Sequence, residues 1–177
     1  EGIENKVSET TQILFAPGCG REHSEFITIP AKFLSVDIGG EVQKGLQGQY
    51  FNNINFEHKA VLSRVDSTVN FKWTLFTAHP ALSVDWYSVR WTGSIHVPES
   101  AIYQLGVEGN DGFRLYIDSV LVIDNWQKLS YRRITIPHKF EKQKKYSIRL
   151  DFYGTTPYEY YNQRCSRCRY LLYHFFL

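Results

Sequence analysis

The sequence predicts an all-β domain, a two-sheet antiparallel β-sandwich preceded by a short α/β leader fragment. Three observations lead there. The 177-residue chain carries twelve Tyr, twelve Phe and four Trp, and aromatic side chains favour the half-buried surface of a strand. From Leu46 onward, short segments alternate polar and apolar residues and are closed by Gly, Pro, Asn or Asp. A long series of such segments buries its apolar sides by packing one antiparallel sheet on another. Ahead of them, a polar helix-forming stretch runs into a short apolar run, which is α/β grammar. The length suits one domain with a small appendage.

Residues 1–45 read as leader and connector. Glu1 to Glu9 is polar with Ile3 and Val7 four apart, the pattern of a helix end. Ile13, Leu14 and Phe15 form a short buried-strand pattern stopped by Pro17 and Gly18. One helix and one strand cannot stand as their own layer, so the segment is expected to be a remnant of a larger α/β domain. Residues 20–45 hold no sustained period and read as an extended connector, with Gly39, Gly40 and Gly45 marking its end.

Residues 46–177 are assigned to the sandwich. LQGQYF opens it. Val69, Phe71 and Trp73 alternate with Asn70 and Lys72. Trp86, Ser88 and Arg90 share one face of the next strand, and Tyr87, Val89 and Trp91 the other. Tyr103, Leu105 and Val107 alternate, as do Phe113, Leu115 and Ile117, and Asp118-Ser119 turns the chain into VLVID. YRRITI and KYSIRLDFY complete the set. The expected core includes Tyr103, Leu105, Phe113, Leu115, Ile117, Ile148 and Leu150, on their period-two spacing.

Charge is uneven. Residues 1–127 carry 9 basic and 15 acidic side chains, and residues 128–177 carry 11 and 3. No reading helix or finger accompanies the basic half, so no nucleic-acid partner is expected. No apolar run is long enough for a transmembrane helix, so no membrane partner is expected. Cys165 and Cys168 form a single CSRC, and Cys19 stands alone with His23 nearby. One such pair without a second does not make a zinc site by spacing, and the thiols read as a buried small hydrophobe and two half-exposed groups.

The densest polar and aromatic stretch is EGNDGFRLYIDSVLVIDNW. Asn110, Asp111, Asp118 and Asp124 offer hard oxygen ligands near strand ends, as calcium prefers, yet Asn and Asp also dominate tight turns. Asp118 fits the turn role better. Arg114, Arg90 and Asp85 have a plain reading as exterior charges beside a sheet. Of Trp73, Trp86, Trp91 and Trp126, most are expected in the core. Trp126, outside the regular alternation and beside Asn125 and Gln127, is the best platform for a pyranose ring. No opposed carboxylate pair, phosphate loop, HExxH or GxSxG motif is present, so no catalytic residue is assigned.

LQGQYFNN, RVDSTVNFKW, the run from Tyr87 to Trp126 and YSIRLDFY resemble, in order, the PA-fourteen domain, the sandwich named after the anthrax protective antigen. EGIENK followed by ILFAPGCG is similar to the segment of family 3 glycoside hydrolases, β-glucosidase-like enzymes, into which this domain is inserted. The resemblance implies a secreted, periplasmic or cell-surface protein and a fragment of a hydrolase whose nucleophile and acid/base lie elsewhere. It implies a non-catalytic accessory domain that contacts saccharide through Asn110, Asp111, Arg114 and Trp126 and limits substrate access and length, with the rest of the hydrolase as partner. An independent lectin-like adhesion module, calcium-assisted, is the alternative. In adhesin relatives two consecutive aspartates hold the ion. The matching positions here are Asn110 and Asp111, and only the second is Asp, so no metal or other cofactor is expected and calcium stays the open alternative. The end, NQRCSRCRYLLYHFFL, departs from the family. It reads either as a last core strand, apolar on both faces, or as a replaced terminus.

Overall fold

The computed structural model describes Lys6, Ser8, Thr10, Thr11 and residues 26–73, 77–155 and 171–176. The expectations for Ile3, Val7, Ile13, Leu14, Phe15, Cys19, His23, Cys165 and Cys168 lie outside the described residues. Among the described residues, a 3-10 turn, Ala31–Phe33, leads into twelve strands. These are β1 (Leu34–Ile38), β2 (Glu41–Lys44), β3 (Leu46–Phe51), β4 (Leu62–Asp66), β5 (Asn70–Trp73) and β6 (Tyr87–Ile95). There follow β7 (Ala101–Gly109), β8 (Gly112–Ile117), β9 (Val120–Asn125), β10 (Arg132–Phe140), β11 (Tyr146–Gly154) and β12 (Leu171–Phe176).

All pairings are antiparallel, and the strands form two sheets. The larger runs β2-β1-β6-β11-β8-β9, with β3 also on β6 and β4 on β3; the smaller runs β10-β7-β12-β5. Period two sorts the side chains. Tyr50, Val89, Trp91, Phe113, Leu115, Ile148, Leu150 and Phe152 of the large sheet are buried with Leu105, Val107 and Phe140 of the small one, which is the core of a sandwich. Tyr103 sits at its margin, partly buried, with its ring edge-on to Phe140 and its hydroxyl donating to the Glu99 carbonyl at 2.9 Å.

Residues 34–44, within the stretch read from sequence as connector, form the β1–β2 hairpin, and β1 pairs with β6 through Leu34–Ile95 and Ser35–Ser94. Gly39 and Gly40 take positive φ at its tip. Only β1 carries a period, with Leu34 and Val36 buried; β2 is exposed along its whole length and has no alternating burial, so the two do not read as a pair. Among the described residues, β12 lies between β7 and β5 in the smaller sheet. Asp118 and Ser119 both adopt left-handed φ, which is the twist-matched two-residue hairpin turn, and the Asp118 carboxylate accepts the Ser147 amide at 2.8 Å.

One polar knot is buried in this apolar setting. Asp66 Oδ2 accepts the Tyr50 hydroxyl at 2.6 Å and the Trp91 indole N–H at 2.8 Å, while Arg64 Nε donates to Oδ1 at 2.7 Å. Burial, reinforced by the Asp66 carboxylate, pushes the Tyr50 phenol far above its usual range. Gly48 makes room for the knot: a Cβ there would stand 2.5 Å from Asp66 Oδ2.

Candidate functional site

The outward face of the large sheet is where polar and aromatic groups converge. Residues that alternate with the core set line up across strands: Gln49 opposite Arg90, Arg90 opposite Asp151, Asp151 opposite Arg114, and Arg114 opposite Asp124. Arg90 grips buried Asp151 through two bonds, Nε to Oδ1 at 2.7 Å and Nη2 to Oδ2 at 2.9 Å. The hydrogen bond to Asp151 raises the Arg90 pKa against the opposing effect of burial. Arg114 Nε donates to Asp124 Oδ1 at 2.9 Å. That bond to Arg114 holds the Asp124 carboxyl below its usual value, and the Trp126 backbone N–H, bonded to the same oxygen at 3.2 Å, adds to it.

Aromatic rings fill the space between these two ion pairs. The Arg90 guanidinium lies 4.2 Å from the centroid of Phe56, Phe56 packs on Trp126 at 5.8 Å, and the Arg114 guanidinium lies 4.8 Å from the Trp126 ring. The result is a continuous stack of cation, ring, ring and cation. Phe51 meets Phe56 edge-on at 5.6 Å, and Tyr153 meets Trp126 edge-on at 4.7 Å. Burial raises the Tyr153 phenol, and the Asp111 carboxylate adds to the rise.

The local sequence explains each placement. Phe56 comes from the loop after β3, where Asn53 Oδ1 accepts the amides of Asn55 and Glu57 at 3.1 and 2.9 Å. Ser88 Oγ donates to the Asn53 carbonyl at 2.6 Å and pins that loop to β6. The Tyr153 ring packs against Gly112, its neighbour in register, and any Cβ at Gly112 would clash with the Cδ1–Cε1 side of the phenol ring.

Arg114 and Trp126, two of the residues expected to contact saccharide, therefore meet each other. Asn110 and Asp111 do not join the stack; they sit beside it, in the buried corner between β7 and β8. Asp111 has φ +54° and ties three segments: its amide donates to the Leu129 carbonyl at 2.9 Å, its carbonyl accepts Asn125 Nδ2 at 3.1 Å, and its Oδ2 accepts the Thr155 amide at 3.0 Å. These bonds make Asp111 a corner brace. Calcium takes about 6–8 oxygen ligands, several of them carboxylates. Here Asp111 offers one carboxylate, already engaged, and among the described residues no three His, Cys, Asp or Glu side chains are grouped to hold an ion. The donor set does not fit calcium, and no role is derived for it.

Sequence reasoning missed Phe56, Tyr153, the Arg90–Asp151 pair and Trp86 as parts of this end of the molecule. The run of asparagines before Phe56 and the Gly112–Tyr153 pairing were the available signals. Trp91, by contrast, is a core residue, fully buried.

The family profile described as "PA14 domain" matches residues 42–165. The anti-sigma-I factor RsgI3 of Acetivibrio thermocellus is 36% identical over 126 residues, which is 71% of this chain and 19% of that protein. A probable beta-glucosidase J of Aspergillus fumigatus is 25% identical over 133 residues, 71% of this chain and 15% of that protein. Among solved structures, an anti-sigma factor domain-containing protein superposes with TM-score 0.63 at 30% identity, covering 74% of this chain and 41% of the other. A Kluyveromyces marxianus beta-glucosidase superposes with TM-score 0.64 at 16% identity, covering 86% and 20%, a likeness of fold. The chain thus spans less than a fifth of the length of the curated relatives it matches.

Proposed function

The chain belongs to the PA14 domain family, and from that premise we propose that it is a non-catalytic, carbohydrate-contacting module of a larger β-glucosidase-like glycoside hydrolase acting outside the cytoplasm. In that setting it walls the neighbouring catalytic pocket and limits the length of saccharide admitted. Of the leader and connector, the part ahead of Ile29 belongs, on this reading, to the host's α/β domain, since Ile29 is already buried in the sandwich core. The observation that carries the proposal is the Arg90–Phe56–Trp126–Arg114 stack, braced by two ion pairs on one sheet face. Such a surface is preorganised: its aromatic edges and guanidinium N–H groups stay in place, so contact with a sugar costs little side-chain ordering. Arg114 and the exposed rim of Trp126 touch the saccharide, while Asn110 and Asp111 shape the corner beside them. The likeness to a beta-glucosidase supports the hydrolase host. Catalysis belongs to other segments of that host.

The likeness to an anti-sigma factor favours a second reading of the host alone: the same module, appended to a regulatory protein, reads saccharide as a signal. Calorimetric titration of gluco- and xylo-oligosaccharides into the chain tests the shared core of both readings. Saturable binding that weakens about tenfold or more in Trp126→Ala, roughly 1.4 kcal/mol, is expected. Absence of binding across the panel, or binding indifferent to Trp126→Ala and Arg114→Ala, overturns it. Sequencing the gene on either side separates a hydrolase host from a regulatory one.

A further inference from the structure

Trp126 is well placed for contact at its rim, but its ring is already crowded by Phe56, Tyr153 and the Arg114 guanidinium. A pyranose stacks on an open ring face. Trp86 offers one. It is 53% exposed, the most exposed of the fully described tryptophans, and its one recorded ring neighbour among the described residues is the Lys128 ammonium, 6.0 Å from the centroid. We propose that Trp86, with the Lys128 ammonium over one face of its ring, is a second saccharide subsite that takes the next ring of a gluco- or xylo-configured oligosaccharide on the other face; this rests on the carbohydrate-contacting reading above.

Two independent features point to Trp86. The first is its backbone. Trp86 has φ +56°, a left-handed conformation that bulky side chains rarely adopt and that Gly or Asn would hold at little cost. Holding a large apolar residue both strained and in solvent works against stability, and such strain concentrates where a residue must present itself. The second is its place. Trp86 directly precedes Tyr87, which pairs with Gly154 at the end of the sheet, and the next residue, Thr155, gives its amide to Asp111. Asp111 in turn gives its amide to Leu129, neighbour of Lys128. The segments carrying Trp86, Lys128 and the Asp111 corner are therefore tied together at the end of the sheet that also carries Tyr153 and Trp126.

The ligand class follows from the chemistry of the platform. Gluco- and xylo-configured pyranoses carry their hydroxyls equatorially, so axial C–H groups cover both ring faces and lie well on an indole. The Lys128 ammonium, over the ring in the free chain, is a flexible donor of three hydrogen bonds and swings to meet the equatorial hydroxyls of the bound sugar. A ring with an axial hydroxyl on the stacking face would be disfavoured, since that group loses its water without gaining a partner.

The test is chain-length dependence in the chain as it exists. Cello- and xylo-oligosaccharides of two to six units are titrated into the unaltered chain and into Trp86→Ala, Trp86→Phe and Lys128→Ala, with circular dichroism confirming the fold of each. The expected result is affinity that rises with length for the unaltered chain, a loss of at least about fivefold in Trp86→Ala for the longer ligands, and a change below about twofold for the disaccharide. Trp86→Phe should restore most of the loss, because a smaller aromatic face still stacks. Equal affinities for Trp86→Ala and the unaltered chain at every length overturn the second subsite and leave the Trp126 site standing. No binding by the unaltered chain at any length overturns both.

Discussion

Removing the Asp66 carboxylate is expected to be among the most damaging single changes in the sandwich. Asp66 is 6% exposed and is the shared acceptor of two buried donors, the Tyr50 hydroxyl and the Trp91 indole N–H, besides pairing with Arg64. Truncation to Ala takes that acceptor from both donors and leaves the Arg64 charge half-buried beside them. Losing the partner of a buried donor costs about 1–3 kcal/mol each, while the Arg64 charge, 36% exposed, keeps contact with water and adds less than the roughly 3–5 kcal/mol of a fully buried pair broken from one side. The terms overlap on one site, so the expected loss is about 3–5 kcal/mol, against a total stability on the order of 5–15 kcal/mol. For a domain of this size that lowers Tm by roughly 6–20 °C. Asp66→Asn should fall between the two, since its single carbonyl oxygen still accepts one donor while its amide N–H faces the Arg64 N–H. Urea and thermal unfolding followed by Trp fluorescence measure both. A loss below about 1 kcal/mol in Asp66→Ala would mean that water or neighbouring groups replace the carboxylate, and would refute the idea that the knot holds β3, β4 and β6 together.

Gly112→Ala should displace the Tyr153 ring, since the new Cβ clashes with it, and so loosen Trp126 as well; the expected cost is about 1–3 kcal/mol, with a changed near-ultraviolet dichroism. An unchanged spectrum and Tm would contradict this packing. The Asp124 carboxyl is lowered by its bond to Arg114, so the pair stays intact above the ordinary aspartate value of about 3.9 and is lost only as pH falls through the lowered one. Saccharide affinity that depends on Arg114 and Trp126 should therefore be flat from pH 8 to about 4.5, and a titration step between pH 5 and 7 would count against the assignment. Calcium added to the metal-stripped chain should bind more weakly than about 1 mM or not at all. A site tighter than 0.1 mM, on the strong side of roughly 10⁻⁴–10⁻³ M for extracellular modules, that vanishes in Asp111→Asn would revive the calcium-assisted lectin. Aryl β-glucosides should show no turnover with this chain, and turnover abolished by changing one Asp or Glu would overturn the non-catalytic reading.

The sandwich was legible because a half-buried strand writes its burial directly into the sequence at period two. Leu105, Phe113, Leu115, Ile117, Ile148 and Leu150 are all buried, as their spacing required. The β1–β2 hairpin was half legible: Leu34, Val36 and Ile38 alternate with Ser35 and Asp37, but Glu41, Val42, Gln43 and Lys44 are exposed on both faces and leave no alternation to read. The knot around Asp66 was hidden for a related reason. A carboxylate at a strand end looks like surface. Arg64 lies two residues away on the same strand, but only the pairing of β3 with β4 and β6 brings Tyr50 and Trp91 to it.

The site shows the same division between local and long-range information. Arg114 and Asp124 face each other across one hairpin, so the sequence from Arg114 to Trp126 contains that half of the stack. The other half comes from Phe56 and from Arg90 with Asp151, far away along the chain, and no local pattern joins them. Trp86 and Trp126 exchange their apparent roles for a physical reason. Trp86 seemed to continue the alternation of Ser88 and Arg90, but its left-handed backbone takes it out of β6 before the strand begins and leaves its ring in solvent. Trp126 stood outside any alternation and so looked free, yet Gly112 admits the Tyr153 ring beneath it and Arg114 covers it. The tryptophan that sequence singles out is thus part of the scaffold as well as a contact. The one with an open face is set by a backbone torsion that the alternation at Ser88 and Arg90 does not encode.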